Sequence, residues 1–228
     1  MSADADPNPA RPAARRPPRG ARHRVERMRE RGAYDRAQVH AVLDAGFIGH
    51  VSFAHGTQPF VIPMLYARDG ERLLLHGSVA SRLINALAEG IECCVAVTHL
   101  DGLVLARSHF HHSVNYRSAV LFGRAVAVTD PAEKAAALTR FVDALLPGRS
   151  GNSRPPDAAE LAATTVLSME ITDASAKVRA GGAKDNREDL ALPHWAGVVP
   201  LALVAGTPLP SDDLVGAPTL PDYLRRRA

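Results

Sequence analysis

The chain has 228 residues, 46% of them hydrophobic and 22% charged, with a formal net charge of +3. Those values fit a soluble globular protein of one domain, two at most, and exclude collagen, coiled-coil and disulfide-scaffold classes. No apolar run approaches the ~20 residues that a membrane helix needs. The two cysteines, Cys93 and Cys94, are adjacent. On a strand they point to opposite faces, so no bridge is expected, and a reducing cytoplasm suits them.

The positive charge is local. Residues 1–31 hold nine arginines against four acids, so residues 32–228 sum to −2. Five of the seventeen prolines also fall in this stretch. Residues 1–24 read as a disordered tail ahead of a domain over 25–228. No apolar stretch follows Arg15–Arg16, so the tail is no signal peptide. It lacks the interleaved aromatics that stack bases, and the body is slightly acidic, so no nucleic-acid partner is expected.

Asp35 caps a helix, RAQVHAVLDAG, with Val39, Val42 and Leu43 at helical spacing and Gly46 as its stop. Strands follow at 47–55, 58–68 and 72–77, the last two joined at the turn dipeptide Asp69–Gly70. Ser78 then opens a short helix over 79–89. ECCVAVTHL and LVLARS flank a second Asp-Gly, Asp101–Gly102, which predicts a second hairpin. SAVLFGRAVAV (118–128) is a further strand. Asp130–Pro131–Ala132–Glu133 is a capping box opening a helix with Leu138, Phe141, Val142 and Leu145 on one stripe. GRSGNSRPPDAAE is a loop with room for one helical turn. TVLSMEIT, SAKVRAG and an extended piece after Trp195 complete the set. Six to eight short strands with two or three helices predict a mainly β, α+β antiparallel barrel rather than a βαβ sheet.

Three stretches carry chemistry. In LLLHGSVASRL, a strand ends at His76–Gly77, and Ser78, Ser81 and Arg82 stand at i, i+3 and i+4. On one helical turn they form either a phosphate cradle or an ordinary serine cap beside a solvated arginine. Gly77 admits close approach of a ligand to the backbone. In SHFHHSVNYRSAV, His109, His111 and His112 have no carboxylate or cysteine to complete a metal shell, so no metal site is assigned. Asn115, Tyr116, Arg117 and Ser118 put four hydrogen-bonding side chains at a strand entrance, either a ligand edge or a solvated hairpin end. Trp195, the one tryptophan, is either core or an aromatic plate against a ligand.

Together, DRAQVHAVLDAGFIGHVSF, FVIPMLYARDGERLLLHGSVASRLINAL, VNYRSAVLFGRAVAV and SAKVRAGGAKDNREDLALPHWAGVVPL resemble the pyridoxamine 5′-phosphate oxidase-like flavoproteins. The resemblance is to the branch with the nitroimidazole-resistance proteins and spans about residues 30–203. It implies a six-stranded split β-barrel, a homodimer, and FMN in two interface grooves. Carried over, Ser81 and Arg82 match the phosphate ligands, with His76, Gly77 and Ser78 beside them. Pro63, Met64, Leu65 and Tyr66 match the strand whose backbone follows the flavin ring. Asn115, Tyr116, Arg117 and Ser118 match the segment reaching the ring or ribityl chain, and Trp195 a residue donated by the partner subunit. His76 matches a histidine near the flavin and is the candidate catalytic residue.

The basic residues that hold the substrate phosphate in the true oxidases have no counterpart, and Leu83 stands where they often carry lysine. That argues against pyridoxamine phosphate oxidation itself. The expected activity is FMN-dependent reduction of a small planar acceptor, a nitro compound or quinone. The alternatives are a flavin or haem binder without turnover, with His76, His109, His111 or His112 as axial ligand, or a deazaflavin-dependent reductase.

Overall fold

The computed structural model describes residues 21–216 and 218–225, and within them ten strands and five α-helices. A short β1 (Gly32–Ala33) precedes α1 (Arg36–Asp44). The Asp35 side chain accepts from the Gln38 N–H at 2.9 Å, and Val39, Val42 and Leu43 are buried, as the spacing predicts. At its other end two side chains take up carbonyls the helix leaves over. The Tyr66 hydroxyl donates to the Leu43 carbonyl at 2.6 Å, and His99 Nε2 lies 2.9 Å from that of Val42.

β2 (Ile48–His55), β3 (Gln58–Asp69) and β4 (Arg72–Ser78) form an antiparallel meander turning at the two predicted sites. Gly56 and Gly70 occupy those turns with φ of 59° and 61°, conformations a side chain rarely adopts. After α2 (Arg82–Ala88) comes β5 (Glu92–Leu105), one strand of 14 residues where a hairpin was expected. Leu100 pairs with Tyr116 and Gly102 with Asn115, so Asp101 is the extra residue of a β-bulge. The bend lets β5 serve two neighbours, β2 through 93–96 and β10 (Gly197–Pro200) through 102–105. Asp-Gly marks a change of direction here, but not a reversal.

β6 (Ser113–Arg124) starts five residues earlier than predicted, which puts Asn115–Ser118 inside a strand rather than at its entrance. β7 (Val126–Ala127), α3 (Pro131–Leu145), α4 (Ala158–Ala163), β8 (Thr164–Glu170) and β9 (Asp173–Arg179) follow. α5 (Asp222–Arg225) lies near the end of the chain. α3 has the predicted cap, with the Asp130 side chain accepting from Glu133 N–H at 2.7 Å.

The strand order is β1-β9-β6-β5-β2-β3-β4-β8-β7, with β10 added on β5. β6, β5, β2, β3, β4 and β8 form the antiparallel split barrel; β9 continues the sheet beyond β6, adds Ala176 to the core and carries β1 on its other edge, and β7 pairs with β8. The barrel's two outer strands meet without a ladder where Gly123 of β6 lies against Met169 of β8. Val51, Leu73, Leu75, Val95, Val97 and Leu121 fill the interior beneath α1 and α2. A second, smaller cluster joins Ala67, Leu74 and Val166 to Ala137 and Phe141 of α3 on the barrel's outer face. No helix among the described residues is long and apolar enough to cross a membrane.

Residues 1–20 of the expected tail lie outside the described residues. Residues 21–24 are held on the barrel: Arg22 pairs with Asp173 and Glu92, His23 with Asp173, and the Arg22 guanidinium covers Phe122.

Candidate functional site

Strand alternation along β4 divides the predicted residues between two faces. Leu73 and Leu75 point into the barrel, while Leu74 and His76 point outward to α3. The His76 ring packs on Phe141, centroids 4.3 Å apart and planes tilted by 55°. Beside it opens a cavity of about 380 Å³, walled by Leu138, Phe141, Val142 and Leu145, the stripe expected of α3. Leu65 of β3 forms part of its floor, and Ser150, Ser153, Arg154 and Pro155 form the rim. The loop is fixed to α3 by Asp143, whose carboxylate accepts from the Ser150 hydroxyl at 2.7 Å and its N–H at 3.0 Å. Those bonds hold the Asp143 carboxyl below its usual range. Arg154 is anchored on Glu160 at 2.6 Å.

His76 Nδ1 is buried with no hydrogen-bond partner. Burial pushes the imidazole below its ordinary pKa, because the low-dielectric wall disfavours the cation. A neutral ring that the chain leaves unsatisfied is available to a ligand.

The phosphate candidates lie on a different edge. Ser81, not Ser78, is the N-cap of α2, its Oγ accepting from Ile84 N–H at 3.5 Å. The Ser78 hydroxyl accepts from Ala80 N–H at 3.2 Å in the turn before the helix, so the three residues do not share one helical turn. Gly77 has a packing reason: a Cβ there would come within 2.8 Å of Ile84 Cγ1, so glycine is what lets α2 close on β4. The Arg82 guanidinium lies over the Phe60 ring, its carbon 4.7 Å from the centroid, and Phe60 stacks on Phe53. No described carboxylate lies within ion-pair distance of Arg82, unlike Arg68, Arg72, Arg107 and Arg117.

Tyr66 is 1% exposed and belongs to the barrel core, where burial raises its phenol pKa; only its backbone is left for a ligand. Met64 packs on the same core and Pro63 is exposed. On β6, Arg117 grips Asp101 with bonds of 3.0 and 2.9 Å, which hold that carboxyl below its normal range. The Ser118 hydroxyl donates to the Lys177 carbonyl at 3.3 Å, and Tyr116 is half-buried in the ladder. Asn115 is buried and accepts from Arg179, itself buried, which also reaches the Gly181 and Gly182 carbonyls at 3.2 Å. Arg107 donates to Asp185 from its N–H and its guanidinium at 2.9 Å each. These two arginines tie down the segment after β9. Arg179 and Asp185 escaped the sequence reading because a buried pairing leaves no local pattern in a polar loop.

Trp195, at the far end of that segment, is 67% exposed with its ring against Gly197, so it is not a core residue. His109–His111 form a 3-10 turn followed by His112, with His109 and His112 exposed and His111 half-buried, and no metal-holding group of three His, Cys, Asp or Glu exists among the described residues.

The antiparallel barrel, an outer helix over β4 and a bulged strand shared between two neighbours define a split-barrel protein. A family model described as Pyridoxamine 5′-phosphate oxidase matches residues 35–178, and the chain belongs to that family. Among solved structures it is similar to the flavocytochrome Anf3 from Azotobacter vinelandii, at 40% identity and TM-score 0.84, covering 91% of this chain and 96% of that one. It is also similar to the FAD and heme binding protein from Mycobacterium smegmatis, at 37% identity and TM-score 0.82, covering 86% and 97%. A 5-nitroimidazole antibiotic resistance protein from Bacteroides thetaiotaomicron shares the fold at 18% identity and TM-score 0.55, covering 64% and 86%. No curated protein matches.

Proposed function

We propose that this protein is a flavin-dependent oxidoreductase that works as a homodimer, with the flavin phosphate at Ser81 and Arg82. The observation that carries this reading is Arg82: a guanidinium over Phe60, unclaimed by any described carboxylate, one residue after a serine cap. Its fork of donors suits two phosphate oxygens, and Ser81, which accepts from the backbone, keeps its own proton to donate. The same residues serve FMN, as the sequence motif implies, or FAD, for which the relative from Mycobacterium smegmatis is named.

The bound flavin supplies the electron chemistry, so the chain needs no nucleophile or acid–base pair. Its residues bind the phosphate and fix the ring edge along the β3 backbone. A small planar acceptor, a nitro compound or quinone, fits such a site. Exposed apolar side chains favour a second copy: Val126 is 67%, Leu203 97% and Val204 79% exposed.

The absorption spectrum of the purified protein tests the reading. Flavin bands are expected, with heat release identifying FMN or FAD. A colourless protein that takes up added deazaflavin overturns the choice of cofactor. Light scattering is expected to give twice the 24.3 kDa chain mass. A monomer carrying one flavin per chain removes the reason to place Trp195 near the ring.

A further inference from the structure

Residues 201–216 read LALVAGTPLPSDDLVG, with six leucines and valines and only two charges, Asp212 and Asp213. A run this apolar belongs in a core, yet every residue of it except Pro208 is exposed. Leu209 is 89% and Val215 90% exposed. Scattered apolar side chains on a surface are ordinary, whereas a continuous stretch of them marks an interface. The backbone is equally unsupported. Leu201 N–H donates to the Asp101 carbonyl at 3.1 Å, and among the described residues Ala202–Pro210 make no backbone hydrogen bond. Pro208 and Pro210 lack the N–H that a sheet uses, so the segment docks through its side chains rather than as an added strand.

Both ends of the segment are fixed on their own chain. β10 holds the start against β5, and α5 holds the end, with the Tyr223 hydroxyl 3.4 Å from Arg149 Nη1 and its ring beside Gly148. A span of about twenty residues tethered at both ends stands off by at most ~33 Å, enough to cross a small domain. The same chain carries a surface for it. Ile62 and Met64 of β3 turn into the core, so Val61 and Pro63 turn outward, opposite Ser52 and His50 of β2. Val61, Pro63 and Ile48 are exposed there, and Val61 follows Phe60, the ring that the exposed Arg82 covers.

We propose that residues 201–216 are an exchange arm: in a homodimer, each copy lays its arm across the outer β2–β3 face of the other and over the edge that carries Ser81 and Arg82. The proposal rests on the flavin-binding homodimer proposed above and assigns the segment that joins its copies. Composition selects a second copy as the occupant. Permanent interfaces are apolar and poor in charge, whereas transient ones are more polar and wetter. A two-fold axis covers both patches at once, because every copy carries one arm and one face.

Full-length protein with benzoylphenylalanine in place of Leu203, mixed from isotope-labelled and unlabelled copies, tests this without depending on flavin. Irradiation is expected to join position 203 of one copy to residues 48–63 of the other. Leu203→Asp combined with Val204→Asp is expected to turn a species of twice 24.3 kDa into one of 24.3 kDa in light scattering. The flavin dissociation constant is expected to rise roughly tenfold with it, as apolar contacts over the edge are lost. Val61→Asp, on the receiving face, is expected to do the same. Circular dichroism checks that both variants fold, and the cross-link decides alone if they do not. Cross-links confined to one chain, or a folded double variant that stays dimeric, overturn the arm and leave the flavin site standing. A cross-linked wild-type dimer that takes up no flavin supports the arm and overturns the flavin reading. A monomeric wild-type protein overturns the arm and assigns residues 201–216 to a different partner.

Discussion

The two sides of strand β4 differ in what they leave unfinished. On the α3 side, a single chain builds walls, floor and rim around His76, and the loop that closes the rim is tied down by Asp143 and Glu160. On the α2 side, Arg82 and Ser81 stand at an open edge, with exposed Val79 two residues before Ser81 and exposed Val61 next to Phe60, the ring that Arg82 covers. A pocket complete within one chain selects its occupant by shape. An open edge with a free charge selects by electrostatics and gains its shape from whatever docks there. The predictions below press on that contrast.

The enclosed side is expected to be the more costly to damage. Phe141 is 3% exposed, joins Ala67, Leu74 and Val166, and is the surface on which His76 rests. Phe141→Ala is expected to cost ~3–5 kcal/mol, a fall in Tm of about 6–20 °C. Calorimetry checks it. A loss below about 1 kcal/mol would mean that the cavity wall collapses freely and is not the rigid surface described.

The open side is expected to lose binding instead of stability. Arg82→Ala removes a charge-assisted contact of about 1.5–3 kcal/mol, roughly ten- to a hundredfold in flavin affinity. Tm of the flavin-free protein stays near wild type, since the side chain is exposed. Unchanged affinity together with a lower Tm would reverse the contrast and make Arg82 a packing residue on Phe60.

Much of this was legible in the sequence, for local reasons. α1 and α3 declare themselves through a cap, an apolar stripe and a stop, and the meander through its two turns. The Ser81–Arg82 pair was visible as a motif, but its helix began three residues later than Ser78 suggested, because a serine caps equally well in a turn or on a helix. Asp101–Gly102 misled for a related reason. The dipeptide fits a bulge as well as a hairpin, and what decides is β10, which arrives from nearly a hundred residues away. Gly77 reads in the sequence as room for a ligand; the structure adds a packing reason, the close approach of Ile84, that no local pattern carries. His76 was identified as a site residue, yet the face it uses follows from strand parity once β4 and α3 are packed together.

The strap after β9 gives an effect of intermediate size. Burial works against the Asp185 charge, but the hydrogen bonds from Arg107 outweigh it and hold the carboxyl below its usual range. A depressed folded-state value means that the contribution is complete above the ordinary aspartate range near 4 and is lost as pH falls through the lower folded value. Trp195 lies ten residues beyond Asp185, so its fluorescence anisotropy reports release of the strap. Wild-type anisotropy is expected to hold steady at neutral pH and to fall on acidification below about 4. Asp185→Asn is expected to show the lower anisotropy already at neutral pH. If the variant and wild type titrate alike, Arg107–Asp185 does not hold this segment.

The smallest effect concerns the start of the described chain, and it tests whether an exposed edge can be stabilised by charge alone. Arg22 and His23 meet Asp173 and Glu92 at the β5–β9 side of the barrel, all within reach of water. Exposed pairs of this kind gain little, because solvent and salt screen them and long side chains lose freedom when they pair. Deleting residues 2–20 is therefore expected to leave Tm and flavin affinity within error. Deleting 2–24 is expected to lower Tm by only about 1–3 °C, because the Arg22 cover on Phe122 goes with the charges. Raising salt to about 1 M, where the screening length falls to about 3 Å, narrows the gap between the two truncations without closing it. Full closure would assign the whole effect to charge. A gap that salt leaves untouched would assign it to the apolar contact with Phe122 and make residues 21–24 a packed part of the barrel.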